Sequence, residues 1–134
     1  MRLGNVFRMK IYLCGTMKAG GLRNSIIERL TGHDVLDPSG HHLETETEYT
    51  AWDLAAIREC DAVVAFMDPS NPSGYGLNLE IGYAHALGKR IIYIDAMGND
   101  WRSKYFGMAR AISEVVTEPA PIASMLEDKC GGRK

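Results

Sequence analysis

The sequence has 134 residues, of which 46% are hydrophobic and 24% are charged, with a formal net charge of −2 at pH 7. This length suits a single domain over residues 1–134 with one hydrophobic core, and the weakly negative charge argues against surfaces for polymeric nucleic acid or membranes. No apolar run could span a bilayer, no cleaved-signal pattern is present, and the odd number of cysteines favours reduced thiols in a cytoplasm.

Short apolar runs alternate with segments of helical periodicity along the chain. The run at 10–14 ends at Gly15, and the run at 62–66 has the strongest pattern of a buried strand. Residues 1–9 are predicted to be an irregular leader and residues 129–134 a flexible tail. The predicted strands are 10–14, 34–36, 62–66, 91–94 and 114–116, and the predicted helices are about 22–30, 47–59, 76–88, 108–112 and 122–128.

This alternation predicts an α/β fold, in which a five-stranded parallel sheet is covered by helices on both faces. Such sheets bind ligands beyond the carboxyl ends of their strands, near the point where the strand order switches. Three loop segments are expected at that edge: Gly15–Gly21, Asp37–His42 and Asp68–Gly76.

Two acidic residues, Glu80 and Asp53, lie on the apolar faces of predicted helices. Each has a structural interpretation as a carboxylate near a helix start. A carboxylate on such a face loses hydration, however, which is costly unless the site uses the charge. A converging pair suits displacement at an anomeric carbon, where one carboxylate attacks and another group orients hydroxyls or handles the leaving-group proton. The apolar neighbours are Leu77, Ile81, Ala84, Leu87 and Gly88 for Glu80, and Ala56, Ile57 and Cys60 for Asp53.

One residue and two longer segments resemble the pattern of one enzyme family. The residue is Tyr12 on the first strand, and the segments are Asp53-Leu-x-x-Ile-x-x-Cys60-Asp-Ala-Val-Val-Ala and Gly76-x-x-x-Glu80-Ile-Gly-Tyr-Ala-x-Ala-Leu-Gly-Lys89. Together they resemble the nucleoside 2-deoxyribosyltransferases and the related 2'-deoxynucleoside 5'-monophosphate N-hydrolases. The resemblance covers residues from about 10 to 118, which is nearly the whole predicted domain.

The resemblance implies a flavodoxin-like (Rossmann-like) three-layer fold and assigns roles to three residues. Glu80 corresponds to the nucleophile that attacks C1' of the sugar and forms a glycosyl-enzyme ester. Asp53 corresponds to the acid that contacts the sugar and assists proton transfer, and Tyr12 to the tyrosine that positions the nucleophile. We expect the nearby helix N-terminus to help keep Glu80 ionised. We expect a small-molecule nucleoside or nucleotide as ligand, no cofactor and no metal.

The first loop resembles the phosphate-binding loop of the nucleotide hydrolases. A 5'-phosphate would be held there by backbone N–H groups, the Thr16 hydroxyl and Lys18. Ser73 resembles a phosphate-contacting serine of the same hydrolases, although it is displaced by one residue, and Lys18 replaces their arginine. The transferases often have an acid where this sequence has Gly74. The residues assigned to substrate binding are Gly15, Thr16, Lys18, Gly20, Gly21, Ser73, Gly76 and Met108.

Several other residues are given simpler interpretations. His41 and His42 lack companion ligand spacing, so a solvated loop is predicted rather than a metal site. His85 is expected at the surface, and Cys14 and Cys60 in the core. The stretch 101–110 mixes aromatic and cationic residues, which indicates base stacking or a subunit contact. Met108 matches a methionine of relatives that form oligomers, whereas a residue that is usually polar in relatives is replaced by Phe106.

The sequence therefore predicts an N-glycosidase that cleaves a 2'-deoxynucleoside or its 5'-monophosphate through an ester of Glu80, resolved by water. A deoxyribosyltransferase that moves the sugar between bases is the first alternative. A nucleotide-binding module without turnover and an N-glycosidase of NAD or ribonucleotides are the others. A homo-oligomer is expected.

Overall fold

The computed structural model of the protein describes residues 8–17 and 20–132, with side chains up to Glu127. The predicted leader therefore lies mostly outside the described residues. The strands are β1 (Lys10–Cys14), β2 (Asp34–Leu36), β3 (Ala62–Met67), β4 (Arg90–Asp95) and β5 (Glu114–Val116). The helices are α1 (Gly20–Glu28), α2 (Glu46–Glu59), α3 (Tyr75–Ala86), α4 (Gly107–Ala111) and α5 (Ile122–Gly132), with short 3-10 helices at Pro38–Gly40 and Trp101–Phe106.

The five strands form one parallel sheet in the order β2-β1-β3-β4-β5. Tyr12 of β1 is in register with Leu36 of β2 on one side and with Val63 of β3 on the other. This is the flavodoxin-like strand order, whose switch point lies between β1 and β3. The predicted fold class is confirmed.

Two apolar clusters cover the two faces of the sheet. The face that carries Tyr12 and Cys14 packs against α2, α3 and α4, while the face that carries Ile11 and Leu13 packs against α1 and α5. All six residues of β3 are buried, because the strand lies in the middle of the sheet between these layers. Their continuous apolar run is the reason that β3 had the strongest strand signal in the sequence.

The ends of α2 and α3 differ from the predicted ones because capping residues set where each helix begins or ends. Thr45 caps α2 by accepting a hydrogen bond from the Glu48 N–H at 3.2 Å, so the helix begins at Glu46. The buried stripe of α3 was predicted to include Leu87 and Gly88, which is wrong. Helix α3 ends at Ala86, and Leu87 is the C-cap residue and 42% exposed. Helical periodicity no longer applies after that point.

The loop that leads from β3 into α3 is held by hydrogen bonds to the side chain of Asn71. Oδ1 of Asn71 accepts hydrogen bonds from the N–H groups of Ser73 and Gly74 at 3.3 and 3.1 Å. Gly74, the N-cap residue of α3, has a φ of 80°, a conformation that glycine adopts at little cost. These contacts fix the start of α3 at the switch point of the sheet. Within the described chain no helix has the length and apolarity needed to cross a bilayer.

Candidate active site

Glu80 lies on the side of α3 that faces the sheet, between the buried residues Leu77 and Ile81. Its carboxyl group lies at the carboxyl end of β1, where Sγ of Cys14 donates a hydrogen bond to Oε1 of Glu80 at 3.1 Å. The acidic residue that interrupts the apolar stripe thus lies at the switch point of the sheet, where parallel α/β folds bind their ligands.

Tyr12 and Asp53 meet Glu80 from two other directions. Tyr12 is fully buried on β1, and its hydroxyl lies close enough to Glu80 for the two groups to affect one another's ionisation. The carboxyl group of Asp53, on α2, interacts directly with that of Glu80. The fold therefore brings the three predicted catalytic residues into one cluster, although α2 and α3 are separated by β3 in the chain.

Burial dominates the electrostatics of this cluster. It raises the pKa of Glu80 from 4.5 to about 7, with a further increase from the Asp53 charge, while the hydrogen bond from Cys14 and the nearby Tyr12 hydroxyl act in the opposite direction. The expectation that the helix N-terminus keeps Glu80 ionised is wrong. Glu80 lies beyond the first turn of α3, where the dipole has little effect.

The neighbouring groups are also shifted toward their protonated forms. Burial is the main cause that raises the pKa of Asp53, and the neighbouring Glu80 and His41 side chains offset it in part. Burial likewise raises the pKa values of the Tyr12 phenol and the Cys14 thiol, with a second contribution from the Glu80 charge. Tyr12 and Cys14 therefore remain hydrogen-bond donors at neutral pH, and the two carboxyl groups are able to share a proton.

A cavity of about 240 Å³ opens next to Glu80. Four residues assigned to substrate binding line it, namely Gly15, Thr16, Ser73 and Gly76. Its other lining residues are Met17, Asn71, Gly74, Leu77 and Glu80. The cavity thus joins the carboxylate of Glu80 to the two loops predicted to hold a 5'-phosphate.

The remaining predicted binding residues are placed differently. Lys18 lies outside the described residues. Gly20 and Gly21 begin α1, and a β-carbon on either would meet open space. Met108 is 86% exposed and does not line the cavity of its own chain, so any contact that it makes with substrate would have to come through a second copy.

Arg23 supports the first loop and was missed by the sequence interpretation. It is buried, donates a hydrogen bond from Nη1 to the carbonyl oxygen of Thr16 at 3.1 Å, and forms an ion pair with Asp37. Its guanidinium also stacks over the ring of Phe66. The signal was available, because Arg23 lies three residues before Ile26 on the apolar stripe of the helix.

His41 corrects a second interpretation. It is not part of a solvated loop, because its side chain is only 10% exposed and packs edge-on against Trp52. Nδ1 accepts a hydrogen bond from the Leu43 N–H at 2.9 Å, so neutral His41 carries its proton on Nε2. Nε2 lies 3.4 Å from Oδ1 of Asp53. His42 and His85 are exposed. No group of metal-ligating side chains occurs among the residues that the structure describes.

Cys14 was interpreted as core packing, which is half of its role. It is 1% exposed, but its thiol reaches Glu80. Residues 12 and 14 of a strand point to the same face, so the face that carries Tyr12 also carries Cys14. That alternation was the available signal.

Gly74 and Phe106, two of the departures from the family pattern, are in contact. A β-carbon on Gly74 would lie 2.5 Å from the Phe106 ring, and the positive φ of Gly74 also disfavours any side chain. An acidic residue at position 74 is therefore incompatible with Phe106 in its present place.

The sequence model described as nucleoside 2-deoxyribosyltransferase matches residues 11–113. The chain belongs to the nucleoside 2-deoxyribosyltransferase family. It is accordingly an enzyme of the deoxyribosyltransferase or N-glycosidase type. No curated protein matches the sequence.

Solved structures of this family type share the fold. The protein is similar to a 2-deoxyribosyltransferase of Bacillus psychrosaccharolyticus, with a TM-score of 0.68 and 19% identity over 87% of this chain and 95% of that one. It is also similar to a CMP N-glycosidase of Clostridium botulinum, with a TM-score of 0.58 and 21% identity over 87% and 97% of the two chains. A 2-desoxiribosyltransferase of Leishmania mexicana gives a TM-score of 0.57 and 24% identity over 81% and 75%.

Proposed function

We propose that the protein hydrolyses the N-glycosidic bond of a 2'-deoxynucleoside 5'-monophosphate, with Glu80 as the nucleophile. The observation that carries the proposal is the cluster of Glu80, Asp53 and Tyr12, in which Glu80 lines a cavity whose walls include the Gly15 and Ser73 loops. A sugar placed between them would present C1' to Glu80 and its 5'-phosphate to the loops.

The first half-reaction transfers the sugar to the enzyme. The carboxylate of Glu80 attacks C1', the bond between C1' and the base nitrogen breaks, and the electron pair leaves with the base. The proton shared by the carboxyl pair moves to Asp53 as Glu80 attacks, and from there to the departing base. A single proton on the pair is enough: when it lies on Asp53, Asp53 is the general acid and Glu80 is ionised and able to attack.

The second half-reaction releases the sugar. Water attacks C1', Asp53 accepts its proton, and the bond between C1' and the Glu80 oxygen breaks to regenerate the carboxylate. The products are the free base and deoxyribose 5-phosphate. The buried Tyr12 hydroxyl, which stays protonated beside Glu80, is a donor available to the Glu80 carboxylate in both steps.

The first loop favours a phosphorylated substrate. Gly15, Thr16 and Met17 line the cavity shortly before α1. The buried Arg23 holds this loop by its hydrogen bond to the carbonyl oxygen of Thr16. A glycine at position 15 allows the main chain to lie directly against Phe66, since a β-carbon there would clash with the ring. Backbone N–H groups in such a loop, together with the Thr16 and Ser73 hydroxyls, suit a phosphate group.

Deoxyribosyl transfer is the second candidate, favoured by the family to which the chain belongs. The contact between Gly74 and Phe106 weighs against it, because it leaves no room for the acid that transferases often have at position 74. Hydrolysis remains the primary proposal.

A chromatographic assay of the purified protein tests the proposal. Each deoxynucleoside and deoxynucleoside monophosphate is supplied with and without free adenine, and NAD and ribonucleotides are included as donors. Free base released from a monophosphate without adenine supports hydrolysis. A new nucleoside formed only with adenine would replace the proposal with transfer. No product from any donor would favour a binding module.

We also propose that the protein acts as a homo-oligomer in a reducing cytoplasm. Tyr75, Trp101 and Tyr105 are 82%, 68% and 60% exposed and line one groove of about 400 Å³ at the start of α3. Met108, which relatives suggest as a subunit contact, is 86% exposed. Light scattering of wild type and Tyr105→Glu would test the assembly, and a monomeric wild type would contradict it.

The proposed reducing cytoplasm rests on a different observation. The buried free thiols Cys14 and Cys60 suit a reducing compartment.

A further inference from the structure

Cys14 and Cys60 are two buried thiols with different hydrogen-bond acceptors. Both side chains are 1% exposed. Sγ of Cys60 donates to the main-chain carbonyl of Ile57 at 3.1 Å, which is a local contact at the C-terminal end of α2. Sγ of Cys14 donates at the same distance to a carboxyl oxygen of Glu80, 66 residues away in the chain. Only the second interaction joins a thiol to the reaction centre described above.

The surroundings of Cys14 keep its proton on sulfur. Burial raises the pKa of the thiol, the Glu80 charge raises it further, and Arg23 on α1 opposes this only in part. The thiol is consequently a donor throughout the neutral range. A donor stabilises a carboxylate more than a carboxylic acid, so this contact favours the ionised form of Glu80.

We propose that Cys14 is a positioning residue for the reaction. Its thiol holds Oε1 of Glu80 and stabilises the carboxylate, so that the attack on C1' falls to Oε2. This inference rests on the proposed role of Glu80 as nucleophile. The groups that face Glu80 are Cys14 and Tyr12 from β1 and Asp53 from α2. Tyr12 acts in the same direction as Cys14, and Asp53 acts against both.

Two substitutions at position 14 separate the hydrogen bond from packing. Cys14→Ala removes the donor, so the pKa of Glu80 rises by about one unit and kcat falls about tenfold, with KM unchanged. Cys14→Ser retains a donor of similar size whose hydroxyl is the stronger hydrogen-bonding group. It therefore returns the pKa of Glu80 to the wild-type value or below and restores kcat.

The test is a titration of the Glu80 carboxyl carbon by NMR in protein labelled with ¹³C at glutamate, assigned by the loss of its signal in Glu80→Gln. Wild type, Cys14→Ala, Cys14→Ser and the control Cys60→Ala are compared, and kcat and KM are measured on the same samples. The expected result is an upward shift for Cys14→Ala alone. An unchanged titration in Cys14→Ala, or an equal shift in Cys60→Ala, would overturn the proposal.

The titration needs no substrate, so it distinguishes the two ways of failing. If the Glu80 signal shifts as expected but the wild type releases no base, the proposed function is wrong and the link between Cys14 and Glu80 holds. If base is released but the signal does not shift, the proposed function holds and Cys14 is only a packing residue.

Discussion

The carboxyl groups of Asp53 and Glu80 interact directly at the switch point of the sheet, although they come from two different helices. Burial raises the pKa of both, and that of Glu80 reaches about 7. Two such groups titrate as a pair, and the singly protonated form is the one that holds both a nucleophile and an acid.

A bell-shaped pH dependence of kcat/KM follows for the wild type, with the alkaline limb near pH 7. Activity falls above that pH because the pair loses its last proton, and it falls in acid because both carboxyl groups are protonated. In Asp53→Asn the pair no longer exists, so kcat/KM should increase through pH 7 where that of the wild type decreases. Activity, although lower, then rises with pH as Glu80 ionises. Steady-state rates from pH 4 to 9 check this, and a wild-type rate that increases through pH 7 would contradict the shared-proton account.

Glu80→Gln should stabilise the protein in alkaline solution. The folded state binds the Glu80 proton more tightly than the unfolded state, with pKa values of about 7 and 4.5. The stabilisation from this proton is complete below pH 4.5 and is lost as the pH rises through 7. Above pH 8 the buried charge costs on the order of 3 kcal/mol, which glutamine avoids.

Thermal unfolding at pH 5 and pH 8.5 measures this effect. The midpoint of Glu80→Gln should exceed that of the wild type at pH 8.5 and approach it at pH 5. Glu44 is exposed and provides the matched control, since Glu44→Gln should show no such difference between the two pH values. A Glu80→Gln midpoint equal to that of the wild type at pH 8.5 would show that the ionised Glu80 does not destabilise the folded protein.

Much of the fold was predictable because the strands are short runs of buried residues. All five residues of β1 and all three of β2 and β5 were placed correctly, and the inward position of Glu80 followed from the stripe of α3. Sequence periodicity describes one element at a time, however. The raised pKa of Glu80, the thiol contact of Cys14 and the burial of His41 depend on where separate elements meet, and the pattern of a single helix or strand contains no signal for such contacts.

Gly74→Ala should destabilise the protein by more than about 1 kcal/mol, because alanine is strained at a φ of 80° and its β-carbon would meet Phe106. Gly82→Ala is the matched control on α3, where a β-carbon meets nothing within 4 Å. It should be neutral or stabilising by up to about 1 kcal/mol, since alanine favours the helix. Urea unfolding of both variants provides the comparison. Equal stabilities would mean that Phe106 can move away.

Arg23→Met should weaken binding of monophosphates more than binding of nucleosides. The substitution removes the hydrogen bond to the Thr16 carbonyl and leaves Asp37 without its ion pair, so the first loop loses its anchor. We expect KM for a monophosphate to rise about tenfold or more, with a smaller change for the corresponding nucleoside. Arg29→Met is the control, because Arg29, just after α1, donates its hydrogen bonds to Ser25 on that helix and not to the first loop. Equal changes in the two KM values would argue against a phosphate site at this loop.

Whether Glu80 attacks the sugar is measured by kcat/KM of Glu80→Gln on the best donor, with the released base quantified by chromatography. Glutamine keeps the size of the side chain but cannot form the glycosyl ester. If Glu80 is the nucleophile, kcat/KM falls by several orders of magnitude, on the scale seen when a catalytic nucleophile is removed. A Glu80→Gln variant that releases base at the wild-type rate would show that another group is the nucleophile.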